Sequence, residues 1–444
     1  MIQSIRYLGP LISNLSIPGE RKADGVIPAH PGCVQLSKDR FLLLATSLET
    51  GWDAVRSVCY QVRAGSPDGP EIREGVLAGA TDDWDALGDG RRFSKMHGMG
   101  LAFGVPKGAV RDGKPLPSAN VFVLKYYRKA GKRGTGGVML KNDPKISVEP
   151  WPEGSEVVSK SMGVEWLQFR LNDAEDDIEV IQPAAPLTTD APRHGDWPGG
   201  TLRVRNHSMT PAIAMDDACT RWTSIDAVRG EGASGQAAVL FEFNASRGRY
   251  EWTYTGPKYH ADEDLGETSV AKVGDQYVVA FRMDDQLRRG EPPTYFSVFF
   301  RTPDPLAQIG QAAYGPGQAV PQHLYRCGDG ELRLFTSMRV GWRRNPLVYY
   351  NVAGDLSRFD GPHTLVDAKA VGLPFHTPCL DMSKLCPAQG RRQLLVFRAI
   401  TVHQTANLAP VKDPNPPTAD EHAAAGVHAV ELVYSRGTDT WTFA

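Results

Sequence analysis

A four-strand unit recurs along this chain, and that repeat limits the fold more than any other feature. Its clearest copies are Ser246-Arg-Gly-x-x-x-Trp252-Thr-Tyr and Ser435-Arg-Gly-x-x-x-Trp441-Thr-Phe. Each follows an apolar run, Val239-Leu-Phe-Glu-Phe in one case and Val430-Glu-Leu-Val-Tyr in the other. An apolar run, a polar turn and an aromatic residue opening a second run spell strand, tight turn, strand. The pattern returns at Val58-Cys-Tyr-Gln-Val before Ser66-Pro-Asp-Gly and at Leu167-Gln-Phe-Arg-Leu before Asn172-Asp. It returns again at Phe296-Ser-Val-Phe-Phe before Pro303-Asp and at Leu347-Val-Tyr-Tyr before Gly354-Asp, which makes six copies.

Each copy is preceded by another hairpin. Val34 to Leu44, Val270 to Phe281 and Leu324 to Phe335 are the clearest, Leu380 to Phe397 is looser, and the copies starting at Gly100 and Ile213 diverge most. Four strands repeated about six times predict an all-β chain folded as a β-propeller, with six four-stranded blades as the expectation. The predicted blades cover 28–90, 91–190, 200–260, 261–312, 318–370 and 371–444, in a single domain over 1–444, and residues 1–27 are expected to add an edge strand to the last blade. The 45 glycines and 33 prolines suit many short strands and turns. Residues 104–165 enlarge the second blade and carry Lys125-Tyr-Tyr-Arg-Lys-Ala-Gly-Lys-Arg133, read as a solvated outer hairpin or, alternatively, a polyanion contact. Residues 403–428, around Asp413-Pro-Asn-Pro-Pro417, read as a long loop over the axial mouth.

A net charge of −2 gives no field that would draw nucleic acid or an anionic membrane. No apolar run approaches the ~18 residues that a membrane span needs. The start, Met1-Ile-Gln-Ser-Ile-Arg, lacks the basic and then apolar segments of a secretory leader. The expectation is a cytoplasmic chain, or a secreted or periplasmic one that has lost a leader. The six cysteines form no CxxC pair and read as free, mostly buried thiols, with a Cys379–Cys386 bridge across one hairpin as the alternative.

In a propeller the innermost strands run along the axis, so their first residues converge on one central pocket. Reading those positions gives Ala29-His30-Pro, Met96-His97-Gly, Asn206-His207-Ser, Gly266-Glu267-Thr, Gln322-His323-Leu and Phe375-His376-Thr. Five of the six hold histidine in a chain with only eleven, which singles the pocket out. Three readings stand open. The imidazoles bond one another and water; or they act as acids, bases and hydroxyl ligands, which suits their near-neutral pKa; or His97, His207, His323 and His376 hold a divalent metal such as Zn²⁺, Mn²⁺ or Fe²⁺. No cofactor is otherwise required.

Between Gly266 and Arg282 two apolar strands flank a Gly-Asp turn, one opening with a carboxylate and the other closing with a guanidinium. At this point the chain resembles the sialidase (neuraminidase) superfamily of six-bladed propellers. Glu267-Thr-Ser-Val and Arg282 resemble the family's catalytic glutamate and the second arginine of its carboxylate-gripping triad, with a spacing one residue shorter. Arg344-Asn-Pro-Leu resembles the segment of the third triad arginine. Ala29-His30-Pro31, then Asp53, then the degenerate box Ser66-Pro-Asp-Gly69 resemble the first blade, with Asp53 in the place of the acid/base. The departures are specific. The first triad arginine is absent, Phe375-His376-Thr377 stands where the tyrosine nucleophile would open the last blade, and the Asp-boxes are eroded.

The resemblance implies a glycoside hydrolase acting on an oligosaccharide or polysaccharide that bears a carboxylate. Arg282 and Arg344 would grip the carboxylate. Asp53 would be the acid and Glu267 or His376 would activate water, with His207 a further acid/base candidate. His30, His97 and His323 are candidate hydroxyl ligands, and Trp52 and Trp342 would stack on a sugar face. Histidine in place of tyrosine equally suits a lyase, in which arginine neutralises a uronate carboxylate and a histidine removes the α-proton. A non-catalytic glycan-binding propeller is the reading from another class.

Overall fold

The computed structural model describes residues 1–49, 55–79, 81–84, 91–104, 110–111, 114–115, 120–132, 160–186, 203–206, 210, 212–216, 220–230, 233–244, 249–259, 265–283, 297–307, 310, 312–318, 320–341, 343–401 and 417–437. The chain opens with β1 (Ile2–Ile12), whose partner comes last. The first meander is β2 (Val26–Ser37), β3 (Arg40–Glu49), β4 (Val55–Ala64) and β5 (Glu71–Ala78), each antiparallel to the next. The second is β6 (Thr81–Trp84), β7 (Arg91–Gly104), β10 (Asn120–Lys132), β11 (Lys160–Leu171) and β12 (Ile178–Pro186), with a side hairpin of β8 (Val110–Arg111) and β9 (Lys114–Pro115). In the third, β13 (Arg203–Asn206) and β14 (Ile213–Ala214) both pair with β15 (Arg221–Gly230), followed by β16 (Ala233–Asn244) and β17 (Arg249–Tyr259). The fourth is β18 (Leu265–Val273), β19 (Gln276–Met283), β20 (Ser297–Thr302) and β21 (Ala312–Gly315).

The remaining eight-stranded sheet is two four-stranded meanders joined by one parallel bridge, Arg344 to Cys379. One is β22 (His323–Arg326), β23 (Leu332–Val340), β24 (Arg343–Val352) and β25 (Phe359–Val366). The other is β26 (Pro378–Leu385), β27 (Arg392–Thr401) and β28 (Gly426–Tyr434), with β1 as its fourth strand. Six meanders in chain order, the first packed on the last through β2 against β26 to β28, make an all-β propeller. Among the described residues no helix is long and apolar enough to cross a membrane.

Alternation along the strands explains why the meanders stack. In β19, Val279 and Phe281 join a core with Ile225 and Val270 on one side, while Val278 and Ala280 join a core with Leu334 and Val348 on the other. Successive side chains of a strand point to opposite faces, so an apolar run such as Tyr277-Val-Val-Ala-Phe281 fills two interfaces at once. A further core joins the first and last meanders through Leu43, Cys59, Leu394 and Val427. Cys33, Cys59, Cys327, Cys379 and Cys386 are free thiols.

Small hydroxyls tie one blade to the next near the axis. Thr268 Oγ1 donates to the Ile225 carbonyl, the Leu324 amide donates to Ser269 Oγ at 3.1 Å, and Ser337 Oγ donates to the Leu380 carbonyl. Closure has a steric requirement as well. A Cβ on Gly426 would sit 2.5 Å from the Ile12 carbonyl oxygen, so glycine lets β28 lie against the end of β1. On the turn after β4, the Asp68 carboxylate takes a fork from Arg392 at 3.0 and 2.5 Å, which fastens the first blade to the last.

Candidate active site at the blade entrances

Glu267 lies at a register shift in β18, and Arg282 near the end of β19 reaches back to it. Nη1 of Arg282 is 2.5 Å from Oε2 of Glu267, and each side chain is 18% exposed. The Gly274-Asp275 turn that sets this hairpin has φ 62° at Gly274, a left-handed conformation that suits glycine. Lys384, on β26 of the last blade, is held down to about 7 by burial, with the Glu267 charge working in the opposite direction. Carboxylate, guanidinium and a weakened ammonium therefore come from the fourth and last blades.

A second cluster spans three blades. Asp381 on β26 is directly opposite Arg398 on β27, and its carboxylate takes a fork from Arg398 at 2.8 and 2.9 Å. Nη1 of Arg344, on β24, donates to the same carboxylate. These two cations hold the Asp381 carboxyl well below the usual range despite its burial. Arg398 also donates to His30 Nε2 at 3.1 Å. Guanidinium only donates, so His30 is the neutral ring with its proton on Nδ1. His30 sits at a bulge in β2 with φ 41°, which turns it toward the neighbouring blade. Arg398 is 3% exposed and Arg344 20%, so Arg344 is the accessible cation of the cluster.

His376, just before β26, meets a partner that the sequence did not suggest. A short helix (Ala419–Ala424) begins after Thr418 with a reciprocal cap: Thr418 Oγ1 accepts from the Glu421 amide, and Glu421 Oε2 accepts from the Thr418 amide. The other oxygen, Oε1, accepts the His376 main-chain N–H at 2.8 Å and also meets the ring Nδ1. Glu421 is 1% exposed and His376 34%. The expected loop over 403–428 thus ends in a helix and the start of β28, while 402–416 lie outside the described residues.

The histidines are placed separately. His323 opens β22 but is fully buried, with Nδ1 3.2 Å from Ser383 Oγ. Burial holds it neutral, far below its ordinary pKa. His30 faces Arg398 and His376 faces Glu421, so these three rings do not form one cluster. Among the described residues no three His, Cys, Asp or Glu side chains converge at metal-ligand spacing. Trp52, Asp53, His207 and Trp342 lie outside the described residues, and His97 is described only as a position on β7 paired with Tyr126. Reading the sequence missed Asp381, Arg398, Lys384 and Glu421. Only Asp381 and Arg398 left a signal, as opposite charges on adjacent predicted strands.

No family model matches the chain, and no curated protein matches it. Among solved structures it is similar to a protein of unknown function from Dyadobacter fermentans, at 11% identity and a TM-score of 0.54 over 98% of this chain and 100% of that one. It is also similar to a sialidase of Trypanosoma rangeli, at 8% identity and a TM-score of 0.46, over 92% of this chain and 54% of that protein. A subtype N10 neuraminidase-like protein of A/little yellow-shouldered bat aligns over 98% of both chains at 8% identity and a TM-score of 0.39. At these identities the likeness concerns the fold alone.

Proposed function

We propose that this propeller is a carbohydrate-active enzyme, a sialidase-like glycoside hydrolase that binds a carboxylate-bearing sugar at its centre. The observation that carries this reading is the pair of guanidiniums donating to Asp381. Among the described residues Arg344 and Arg398 both donate to the Asp381 carboxylate, and Arg344 is the partly exposed member. An anionic sugar would meet Arg344 through forked, charge-assisted hydrogen bonds. Arg282, anchored by Glu267, adds a second cation from another blade.

In the proposed hydrolysis a water oxygen bonds to the anomeric carbon as the glycosidic C–O bond breaks. Glu267 or His376 takes the water proton, and Asp53 protonates the departing oxygen, so the net change is addition of one water. Anchoring to Arg282 suits Glu267 to an electrostatic role, which leaves His376 as the stronger candidate base. A uronate lyase is the second reading. It is favoured by the carboxylate-supported His376, which would remove the α-proton while arginine neutralises the uronate.

Mass-spectrometric analysis of products from a panel of acidic oligosaccharides, with ultraviolet detection of unsaturated uronates, tests the proposal. Products heavier by one water support the hydrolase. Unsaturated products move the chemistry to the lyase. No product from any substrate, with or without divalent metal, leaves a glycan-binding propeller.

A further inference from the structure

We propose that Glu421 is a positioning residue for His376, fixing its imidazole with the proton on Nδ1 so that Nε2 serves as the base that activates water. This inference rests on the hydrolase reading above. Hydrogen bonds from the Thr418 and His376 amides and from the His376 ring hold the Glu421 carboxyl below its ordinary range against the opposing effect of burial. Near neutral pH it is therefore an ionised carboxylate, which accepts and never donates. The His376 ring nitrogen facing it must be the N–H, and the basic lone pair of the neutral ring falls to Nε2.

Both Glu421 oxygens are committed, one to His376 and the other to the Thr418 amide, so the carboxylate cannot swing away without uncapping its helix. As the water oxygen bonds to the anomeric carbon, its proton passes to Nε2, and the imidazolium formed is stabilised by the Glu421 charge. The glycosidic oxygen leaves with the electron pair of the broken bond and takes its proton from the acid. The proton on Nε2 then returns to solvent, and the acid takes one back from it. Other titratable groups on the surrounding elements are Asp420 and His422 on the helix, Lys22, His428, and the Asp381–Arg398 pair on β26 and β27. Lys22 Nζ donates to the Ala423 carbonyl at 2.7 Å, and His428 Nε2 donates to the Ala424 carbonyl. Among the described residues none of these groups bonds Glu421.

The first test needs no substrate. Nitrogen–proton correlation NMR of the histidine rings, with His376→Gln to assign the signals, reads the tautomer and the titration midpoint of His376. The expected result is an Nδ1–H tautomer in the native protein and a midpoint about one pH unit lower in Glu421→Gln, since the amide removes the stabilising charge. Thr418→Ala weakens the helix cap but keeps the carboxylate, and should leave the midpoint in place. An Nε2–H tautomer, or a midpoint that Glu421→Gln does not move, would overturn the proposal.

The second test is kinetic. On an acidic oligosaccharide turned over by the native protein, Glu421→Gln should lower kcat by about 10- to 100-fold with KM nearly unchanged. The acidic limb of kcat/KM should move down with the NMR midpoint. A His376→Gln variant that keeps its kcat would remove His376 from the chemistry. A native protein that turns over nothing ends both the hydrolase reading and the role of His376 as base, while the NMR result still decides the geometry of the pair.

Discussion

Tyr7 Oη donates to His428 Nδ1 at 2.7 Å, joining the first strand of the chain to the strand that closes the last blade. His428 Nε2 in turn donates to the Ala424 carbonyl at 2.8 Å. Since a carbonyl only accepts, the proton is on Nε2 and the ring is neutral. Burial holds it at about 4, below its ordinary 6.5. The unfolded chain therefore binds this proton first as pH falls. The stabilisation is whole above pH 6.5 and is lost between pH 6.5 and 4, at up to about 1.4 kcal/mol per pH unit. Urea unfolding at a series of pH values should show this fall, and His428→Gln should flatten it. An equal slope in the variant would remove His428 as the cause.

Asp381→Asn should destabilise the fold by about 3–5 kcal/mol, because Arg398 would be left buried without its counter-charge. The depressed Asp381 pKa gives the matching sign with pH. Its contribution is full above the ordinary carboxylate value of 3.8 and is lost as pH drops below it. Denaturant midpoints of the two proteins at neutral pH measure the difference. A loss under about 1 kcal/mol, the worth of an exposed pair, would mean that the Arg344–Asp381–Arg398 cluster does not hold the blades.

Lys384 has a dependence of the same sign in a more alkaline window. Its ammonium is depressed to about 7 from an ordinary 10.5, so the unfolded state holds the extra proton between those values and stability rises with pH across that window. The rise is at most about 1.4 kcal/mol per pH unit. Lys384→Met should abolish it, as read from thermal unfolding on the alkaline side. A rise that persists in the variant belongs to another group.

Glu267→Gln and Arg282→Ala should each lower turnover of an acidic sugar by about 100-fold or more. Both side chains are partly exposed at a strand end, so their melting temperatures should stay near that of the native protein. If both variants keep their activity, the fourth-blade hairpin is scaffold.

The fold was more legible than the chemistry. Hairpins such as Val270 to Phe281 announce themselves because a strand buried on both faces is continuously apolar and its turn needs Gly274. β1 pairs with β28 at the edge of the last sheet. The entrance residues were harder. The register shifts between Ala29 and Gly32 and between Asp381 and Lys384 rotate side chains that a regular count aims at the axis. His323 consequently packs on Ser383, and His30 turns to Arg398. Glu421 was out of reach for another reason. It meets His376 across 45 residues, and no local pattern encodes a contact of that span.

The pairing of β1 with β28 also orders events during translation. Ile2–Ile12 emerges before the other described strands yet has no sheet to join until Gly426–Tyr434 has been made. The growing chain therefore carries an open strand edge through most of its synthesis, the period when such edges invite aggregation. His376 meets its carboxylate only late in the same process. A ribosome stalled before Glu421 would leave five meanders able to form and a histidine with nothing to aim it.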